Sequence, residues 1–580
     1  METRNCQNCK NDFTIEPDDF GFYEKMHVPA PTFCPDCRSQ RRLAWRNDTT
    51  LYNQVCSLCN KSVVTIYSKE SGITVYCNKC WWGDKWDPIS YGQDYDFSRN
   101  FFEQFKELVL RVPHMALVND DGIASVNCEY TQDFAFSKNC YMDFIGWKVE
   151  NVMYTYYISA GNDIMDCMFI RSKNEWIYEC MRGRNCYNLK YSQLCLTCID
   201  SQFLYDCNSC SDCFMCVNLR NKKYNFKNEQ YSKEEYEKIL ASYKLDTWDG
   251  VQKAQKEYDE FILKYPKRYS TIFRSLNCSG DAVSDSKNVK DCFNVKKAEN
   301  CRWVCNADAP RDSYDLTIGG ELSECYEGIT CDHSNRNSFG IFSWKDQDVE
   351  YTHHCHSSQY LFGCVGIKSK KYCIFNKQYT KEEYEVLVPK IIAQMNEMPY
   401  KDKQGNIYKY GEFYPAELSY FGYNESVAPE HFPLTKEQAE SHGYNWQENI
   451  QKTIGKETIK PENMPESISD VNESILGEVL ACIDCQRNYK IVPNELIFYK
   501  KLNIPIARRC FYCRHQSRLN RRNPYKLWHR TCMCDGSTSS PQAKKHNNHE
   551  GKCAEEFETS YAPDRPEIIY CEKCYQQEVY

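Results

Sequence analysis

The sequence predicts a multidomain, mainly β protein in which tandem duplicated β-solenoid units, parallel β-helix-like and closed by capping helices, are flanked at both ends by treble-clef and zinc-ribbon modules. Three observations predict it. Cys6, Cys9, Cys34, Cys37 and Cys56 recur as Cys482, Cys485, Cys510, Cys513 and Cys532, with gaps of two, twenty-four, two and eighteen residues kept in both sets. Between them, FMCVNLRNKKYNFKNEQYSKEEYEKI from Phe214 matches FGCVGIKSKKYCIFNKQYTKEEYEVL from Phe362. Within each of these copies, phrases such as Asn139-Cys140-Tyr141, Asn185-Cys186-Tyr187 and Asp291-Cys292-Phe293 return. Their spacing of about six to fifteen residues is too short for helices and suits stacked short strands, with small cysteines inward and Asn or Asp at bends.

Taken in order, residues 1–55 read as a treble clef, 56–97 as a zinc ribbon and 98–115 as a helical connector. Residues 116–231 form the first solenoid unit, 232–269 its helical cap, 270–379 the second unit and 380–398 a helix. An aromatic, Pro-rich connector over 399–475 leads to a second treble clef at 476–531 and a divergent zinc ribbon at 532–580.

The chain of 580 residues has no apolar run of the roughly eighteen residues that a membrane span needs. Its start, METRNCQNCK, lacks the basic-then-apolar pattern of a secretory signal. These features predict a soluble cytoplasmic protein with no membrane partner. Thirty-seven cysteines, an odd count in a large chain, then read as reduced thiols and metal ligands instead of a disulfide framework. A net charge of −8 argues against a surface coated for bulk nucleic-acid binding.

Two CxxC knuckles converging on one ion supply four thiolates, the set that structural zinc prefers. Cys6, Cys9, Cys34 and Cys37 make one such set, and Cys482, Cys485, Cys510 and Cys513 its copy. After Cys37 the run RSQRRLAWRN has few breakers, so the second knuckle opens a helix while the first sits on a hairpin. At each end the knuckle, the Phe-Tyr, the Pro and the closing Cys-Arg resemble the treble-clef zinc-ribbon family over about fifty residues.

Cys56 and Cys59 precede KSVVTIYSKESGITVY, two alternating strands around a Ser-Gly turn, and Cys77 and Cys80 follow. That order predicts a rubredoxin-like ribbon. At the far end Cys532 and Cys534 pair with Cys571 and Cys574, because IYCEKCY echoes VYCNKCW. This copy has a shortened Cys-Met-Cys knuckle, and His546, His549 and Cys553 in its insert are candidate replacement ligands. The cofactor expectation is therefore zinc, about four structural ions, since four thiolates leave no open position for catalysis.

In the middle, Ser232-Lys-Glu-Glu and Thr380-Lys-Glu-Glu read as capping boxes that start helices. Cys207, Cys210, Cys213 and Cys216 superficially resemble iron–sulfur ligation, but their counterparts Cys355, Ser358, Leu361 and Cys364 keep only half the set, which favours packing over a cluster. His353, His354 and His356 surround Cys355; strand alternation would put His354 and His356 on one face and His353 with Cys355 on the other. Asp163, Asp166, Glu175 and Glu179 are carboxylates of the kind a solenoid cleft enzyme uses, though solvent-facing positions explain them more simply. The chain has no P-loop, dinucleotide fingerprint, GxSxG elbow or HExxH helix.

The C-terminal treble clef concentrates positive charge. Arg514, Arg518, Arg521 and Arg522 lie at helical spacing, with Lys526, Arg530 and the aromatics Tyr525 and Trp528 close behind. Arginines beside aromatics suit phosphate contact and base stacking, so these six basic residues are the candidate RNA or DNA contacts; docking onto the chain's own acidic solenoid is the competing reading. The N-terminal copy keeps Arg38, Arg41, Arg42 and Arg46 but surrounds them with acids.

The terminal CPxCR modules, the NKKY and NKQY endings and FGYNESVAPEHFPLTKEQA together resemble a family of multi-zinc-finger proteins of candidate-phyla-radiation bacteria. That resemblance implies a cytoplasmic bacterial protein and brings no activity with it. The resulting expectation is a zinc-stabilised, non-enzymatic binding or scaffold protein whose partner is RNA or DNA. The alternatives are a protein-interaction or self-assembling scaffold and an enzyme using a solenoid cleft or an iron–sulfur centre.

Overall fold

The computed structural model describes residues 1–120, 124–171, 174–536 and 548–580, and its elements are mainly β with eleven α-helices among the described residues. The chain divides into two compact units, one made of residues 1–121 and 270–450 and the other of 122–269 and 451–580. Each unit joins the cysteine modules of one terminus to one of the two middle copies. The pairing crosses the sequence order: the N-terminal modules belong with the second copy and the C-terminal modules with the first.

Each middle copy is a parallel stack. In the first, strands Val126–Glu129, Lys138–Tyr141, Glu150–Met153 and Asn162–Met165 pair side by side, with Val126 opposite Lys138, Lys138 opposite Glu150 and Glu150 opposite Asn162. Strands Gln132–Ala135, Phe144–Trp147 and Tyr156–Ser159 form a second sheet at the same twelve-residue offset, Gln132 opposite Phe144 and Phe144 opposite Tyr156. The second copy repeats this offset through Ser323↔Asn335, Asn335↔Gln347, Gln347↔Gln359 and Gln359↔Lys371.

What sets the stack is a backbone period of three. Tyr130, Asp133, Phe136, Asn139, Met142, Ile145 and onward to Phe169 all have φ near +55°, one residue in every three. A left-handed residue costs an L-amino acid on the order of 1–2 kcal/mol, least for Asn and Asp. The residue that follows turns inward, and cysteines there are buried at Cys140, Cys167, Cys207, Cys210, Cys213 and Cys216, while Cys128 and Cys278 at the first strands of the two stacks are only partly buried. The recurring Asn-Cys and Asp-Cys phrases are therefore a bend residue followed by a small inward one.

Inward thiols also satisfy the corners. Cys207 donates to the Tyr205 carbonyl at 3.5 Å, Cys213 to Ser211 at 3.3 Å and Cys216 to Phe214 at 3.3 Å. Serine does the same elsewhere: the Ser137 hydroxyl donates to the Ala135 carbonyl at 2.8 Å and accepts from the Val149 N–H at 3.2 Å. At Ser358, counterpart of Cys210, the hydroxyl donates to His356 at 3.0 Å. Cys and Ser exchange here because both are small and carry a donor.

Both capping boxes form, at Ser232 before the helix Lys233–Ser242 and at Thr380 before Lys381–Glu397. A further helix, Trp248–Ile262, buries Val251, Ala254, Tyr258 and Phe261, and Tyr258 meets Phe203 of the stack edge-on at 5.6 Å. In the other unit the aromatic segment after the second stack lies against the protein instead of linking it. Tyr408, Phe413, Tyr414 and Phe421 share one apolar cluster with Phe101, Phe102 and Phe105 of the helix Phe101–Arg111. No described helix is long and apolar enough to cross a membrane.

This aromatic wrap buries a carboxyl. Burial pushes Glu350 up to about 7, against the downward pull of a hydrogen bond from Tyr410. A folded value above the unfolded one means that stability is full below about 4.5 and is lost as pH rises through about 7. Denaturant midpoints of the full chain at pH 6 and pH 8.5 should accordingly fall more for the native protein than for E350Q. The expected extra loss between these two pH values is about 1.4 kcal/mol, because roughly one of the tenfold steps in proton affinity, each worth about 1.4 kcal/mol, falls between them.

Candidate metal centres

Four groups of cysteines converge. They are Cys6, Cys9, Cys34 and Cys37; Cys56, Cys59, Cys77 and Cys80; Cys482, Cys485, Cys510 and Cys513; and Cys532, Cys553, Cys571 and Cys574. Sulfur separations are 3.7 Å for Cys9–Cys34, 3.9 Å for Cys59–Cys77 and 3.6 Å for Cys485–Cys510. A tetrahedral zinc with bonds of about 2.3 Å needs its sulfurs about 3.8 Å apart, so these sets fit the ion.

All four have a ligand that caps a helix, and the first three also open on a CxxC knuckle. One knuckle sits beside an antiparallel pair, Glu2–Asn5 with Asp12–Ile15 in the first module and Tyr52–Val55 with Ser62–Thr65 in the second. The third ligand caps a helix: Cys34 before Pro35–Leu43, Cys77 before Asn78–Trp82, Cys510 before Phe511–Arg521 and Cys571 before Glu572–Val579. Across each of three sets the capping residue's N–H donates to the first thiol, Cys34 to Cys6 at 3.2 Å, Cys77 to Cys56 at 3.3 Å and Cys571 to Cys532 at 3.2 Å. Such donors favour thiolate. Cys482 is drawn down to about 4, first by the Cys510 thiol and then by neighbouring backbone N–H groups. Cys56 lies at about 7, where burial opposes ionisation and the N–H groups of Cys77, Cys59 and Leu58 outweigh it.

One expectation needs correction here. The Ser-Gly turn does not close a ribbon hairpin: Gly72 ends a short turn of 3-10 helix, and Val75–Tyr76 pairs in parallel with His114–Met115 instead. The reason is that Cys77 starts a helix, leaving the preceding strand only two residues long. In the last module Cys532, Cys553, Cys571 and Cys574 come together, as the place of Cys553 in the insert allowed, and Cys534, also expected as a ligand, lies beside the Cys574 thiol. His549 brings Nε2 within 3.2 Å of the Cys574 sulfur. His546 lies outside the described residues.

The helix that each treble-clef-like set opens carries arginines inward, not outward. Arg514 and Arg518 both bind the buried Asp166, Arg518 Nη1 donating to Oδ1 at 2.7 Å and Arg514 to Oδ2. Arg518 also donates to the Tyr154 carbonyl at 3.2 Å, and Arg514 lies over the Tyr154 ring at 4.4 Å. Arg521 reaches Glu179 at 3.1 Å. The other unit repeats the clamp: Arg38 donates to Asp315 at 2.9 Å and Arg42 to the same carboxylate at 3.2 Å, while Arg41 holds Glu327 at 2.8 Å.

Of the six basic residues picked out by sequence, Arg514 and Arg518 are buried, Arg522 packs over Tyr525, Arg530 donates to the Ala562 carbonyl at 3.2 Å, and Lys526 is the exposed member. Asp166 is not solvent-facing as expected, and with Glu179 it is committed to arginine, so the four carboxylates do not gather as a free cleft. The strand-alternation argument for the histidines also fails, because the period is three. Cys355 turns inward, whereas His353 and His354 both face His114, at ring distances of 4.8 and 5.3 Å.

The cysteine sets define a protein in which several four-thiol groups can hold metal ions, zinc among them. No protein-family model matches the chain, and no curated protein matches it.

The last set makes a direct comparison possible. Native mass spectrometry of the full chain should show C553S with one zinc fewer than the native protein and C534S with the native count. The opposite result would return Cys534 to the ligand set.

Proposed function

We propose that the protein is a non-enzymatic, zinc-stabilised scaffold: two β-solenoids, each fastened to a treble clef and a second zinc module from the far end of the chain. The observation that carries this reading is the repeated clamp. Arg514 and Arg518 grip Asp166, and Arg38 and Arg42 grip Asp315, with all six side chains at most 4% exposed. Charge concentrated in this way serves assembly of the chain itself. The stacks then offer their exposed edges and faces to partners, which we take to be proteins or further copies of the chain.

The same geometry weighs against phosphate contact through Arg514 and Arg518, because a guanidinium already paired in the interior has little left for an outside anion. Removing one partner of a buried ion pair costs about 3–5 kcal/mol. Both R518A and D166N should therefore lower the denaturation midpoint of the unit by that order, as followed by urea titration. Fluorescence anisotropy with single-stranded RNA and DNA at low salt should show the same weak, salt-sensitive signal for the native protein and for folded R521A, R522A and K526A variants. A large loss of affinity in those variants, with metal content and midpoint retained, would restore the nucleic-acid reading.

A further inference from the structure

One cluster lies apart from every thiolate set. His114, from the stretch after the second cysteine module, meets His353 and His354 of the second stack, and one ring nitrogen from each lies within 4.8 Å of the others. All three are buried. Around them sit two phenols: Tyr67, whose hydroxyl is 3.4 Å from His114 Nδ1 and 3.1 Å from His354 Nε2, and Tyr420, 2.6 Å from His353 Nε2.

Hydrogen bonding leaves the cluster incomplete. His114 Nε2 lies 2.8 Å from the Val109 carbonyl, which can only accept, so that nitrogen carries the proton and Nδ1 keeps its lone pair. His353 and His354 each spend Nε2 on a phenol, and the Nδ1 of each, fully buried, has no partner. An unsatisfied buried polar atom costs on the order of 1–3 kcal/mol, and here two lie side by side. A ring with one nitrogen tied to a carbonyl or hydroxyl and the other open is also how ligating histidines are oriented. Burial lowers the basicity of His114 to about 4 and that of His353 and His354 further below its usual range, so the rings stay neutral, the form that binds metal.

The duplicated unit fills the same place differently. By the register that pairs Cys355 with Cys207, His353 and His354 correspond to Tyr205 and Asp206. Tyr205 meets the Tyr561 hydroxyl at 3.0 Å, and Asp206 accepts from Tyr575 at 2.5 Å and from Arg220 at 2.9 Å. There the polar groups satisfy one another. In the triad, by contrast, the Nδ1 atoms of His353 and His354 are left without a partner.

We propose that His114, His353 and His354 form a buried binding site for one divalent first-row transition metal, with the Tyr67 and Tyr420 hydroxyls orienting the rings from their far nitrogens. Tetrahedral ligands at bonds of about 2.0–2.1 Å stand about 3.4 Å apart, so binding draws the rings together by roughly 1 Å. This site is independent of the thiolate sets and stands or falls without them.

The test counts ions on the full chain by native mass spectrometry, with X-ray absorption at the zinc edge to detect nitrogen ligands. H114Q, H353Q and H354Q should each carry one ion fewer than the native protein and lose the nitrogen scattering, while H356Q, beside the site but outside it, keeps the native count. Because a glutamine in this interior can unfold the unit, Y67F is the second variant. It keeps all three rings and should weaken retention about 10–100-fold in competition with a zinc chelator. Equal ion counts in the native protein and all three triad variants, or no nitrogen-bound metal in the native protein, would overturn the proposal and leave a histidine–tyrosine packing network only.

Discussion

Two arginines one helical turn apart, closing on a single buried carboxylate, are the contact on which each unit depends. The clamp works only if the helix is aimed correctly, and the helix starts at a cysteine knuckle that could hold a metal ion. Cys34 and Cys510 cap their helices, Cys37 and Cys513 lie one turn inside, and the next residue in each case is the first clamp arginine, Arg38 or Arg514. A bound ion that fixes both cysteines therefore fixes the direction of the guanidinium. On the other side, Asp166 and Asp315 are held by the three-residue period of their stacks, since both occupy left-handed positions. Two rigid frames meet at one ion pair, which explains why charges that are expensive to bury can be buried here.

The stacks account for most of the remaining cysteines. A coil that turns every three residues leaves room inside for a small side chain at each turn, and a thiol fills it while donating to the carbonyl two residues back. Packing of this kind tolerates the exchange of Cys210 for Ser358 or of Cys213 for Leu361 between the copies, an exchange that a four-ligand cluster would not survive.

Much of this is legible in the sequence, for identifiable reasons. Ligand spacing within a module is local, so Cys6, Cys9, Cys34 and Cys37 and their copies can be read directly. Cys553 is harder because it comes from an insert with no counterpart in the first copy. The inward cysteines are visible as a motif, but ordinary strands have a period of two, and that period puts His353 and His354 on opposite faces. The arginine cluster is visible as charge, while its partner Asp166 lies 352 residues from Arg518 and nothing in the local pattern points to it. The crossing of termini and copies is illegible for the same reason: two repeats of nearly equal sequence offer each terminal module two nearly equal places to dock.

That crossing has a consequence during synthesis. Residues 1–121 leave the ribosome long before residue 270, where the rest of their unit begins. At about 5–20 residues per second the intervening stretch takes on the order of ten seconds to make. For that time the newborn N-terminal segment presents Arg38, Arg41 and Arg42 without Asp315 or Glu327. The first stack waits in the same way for residues 451–580, which complete its unit. A cysteine module that took up an ion early would keep its helix aimed through that interval, before its carboxylate partner exists.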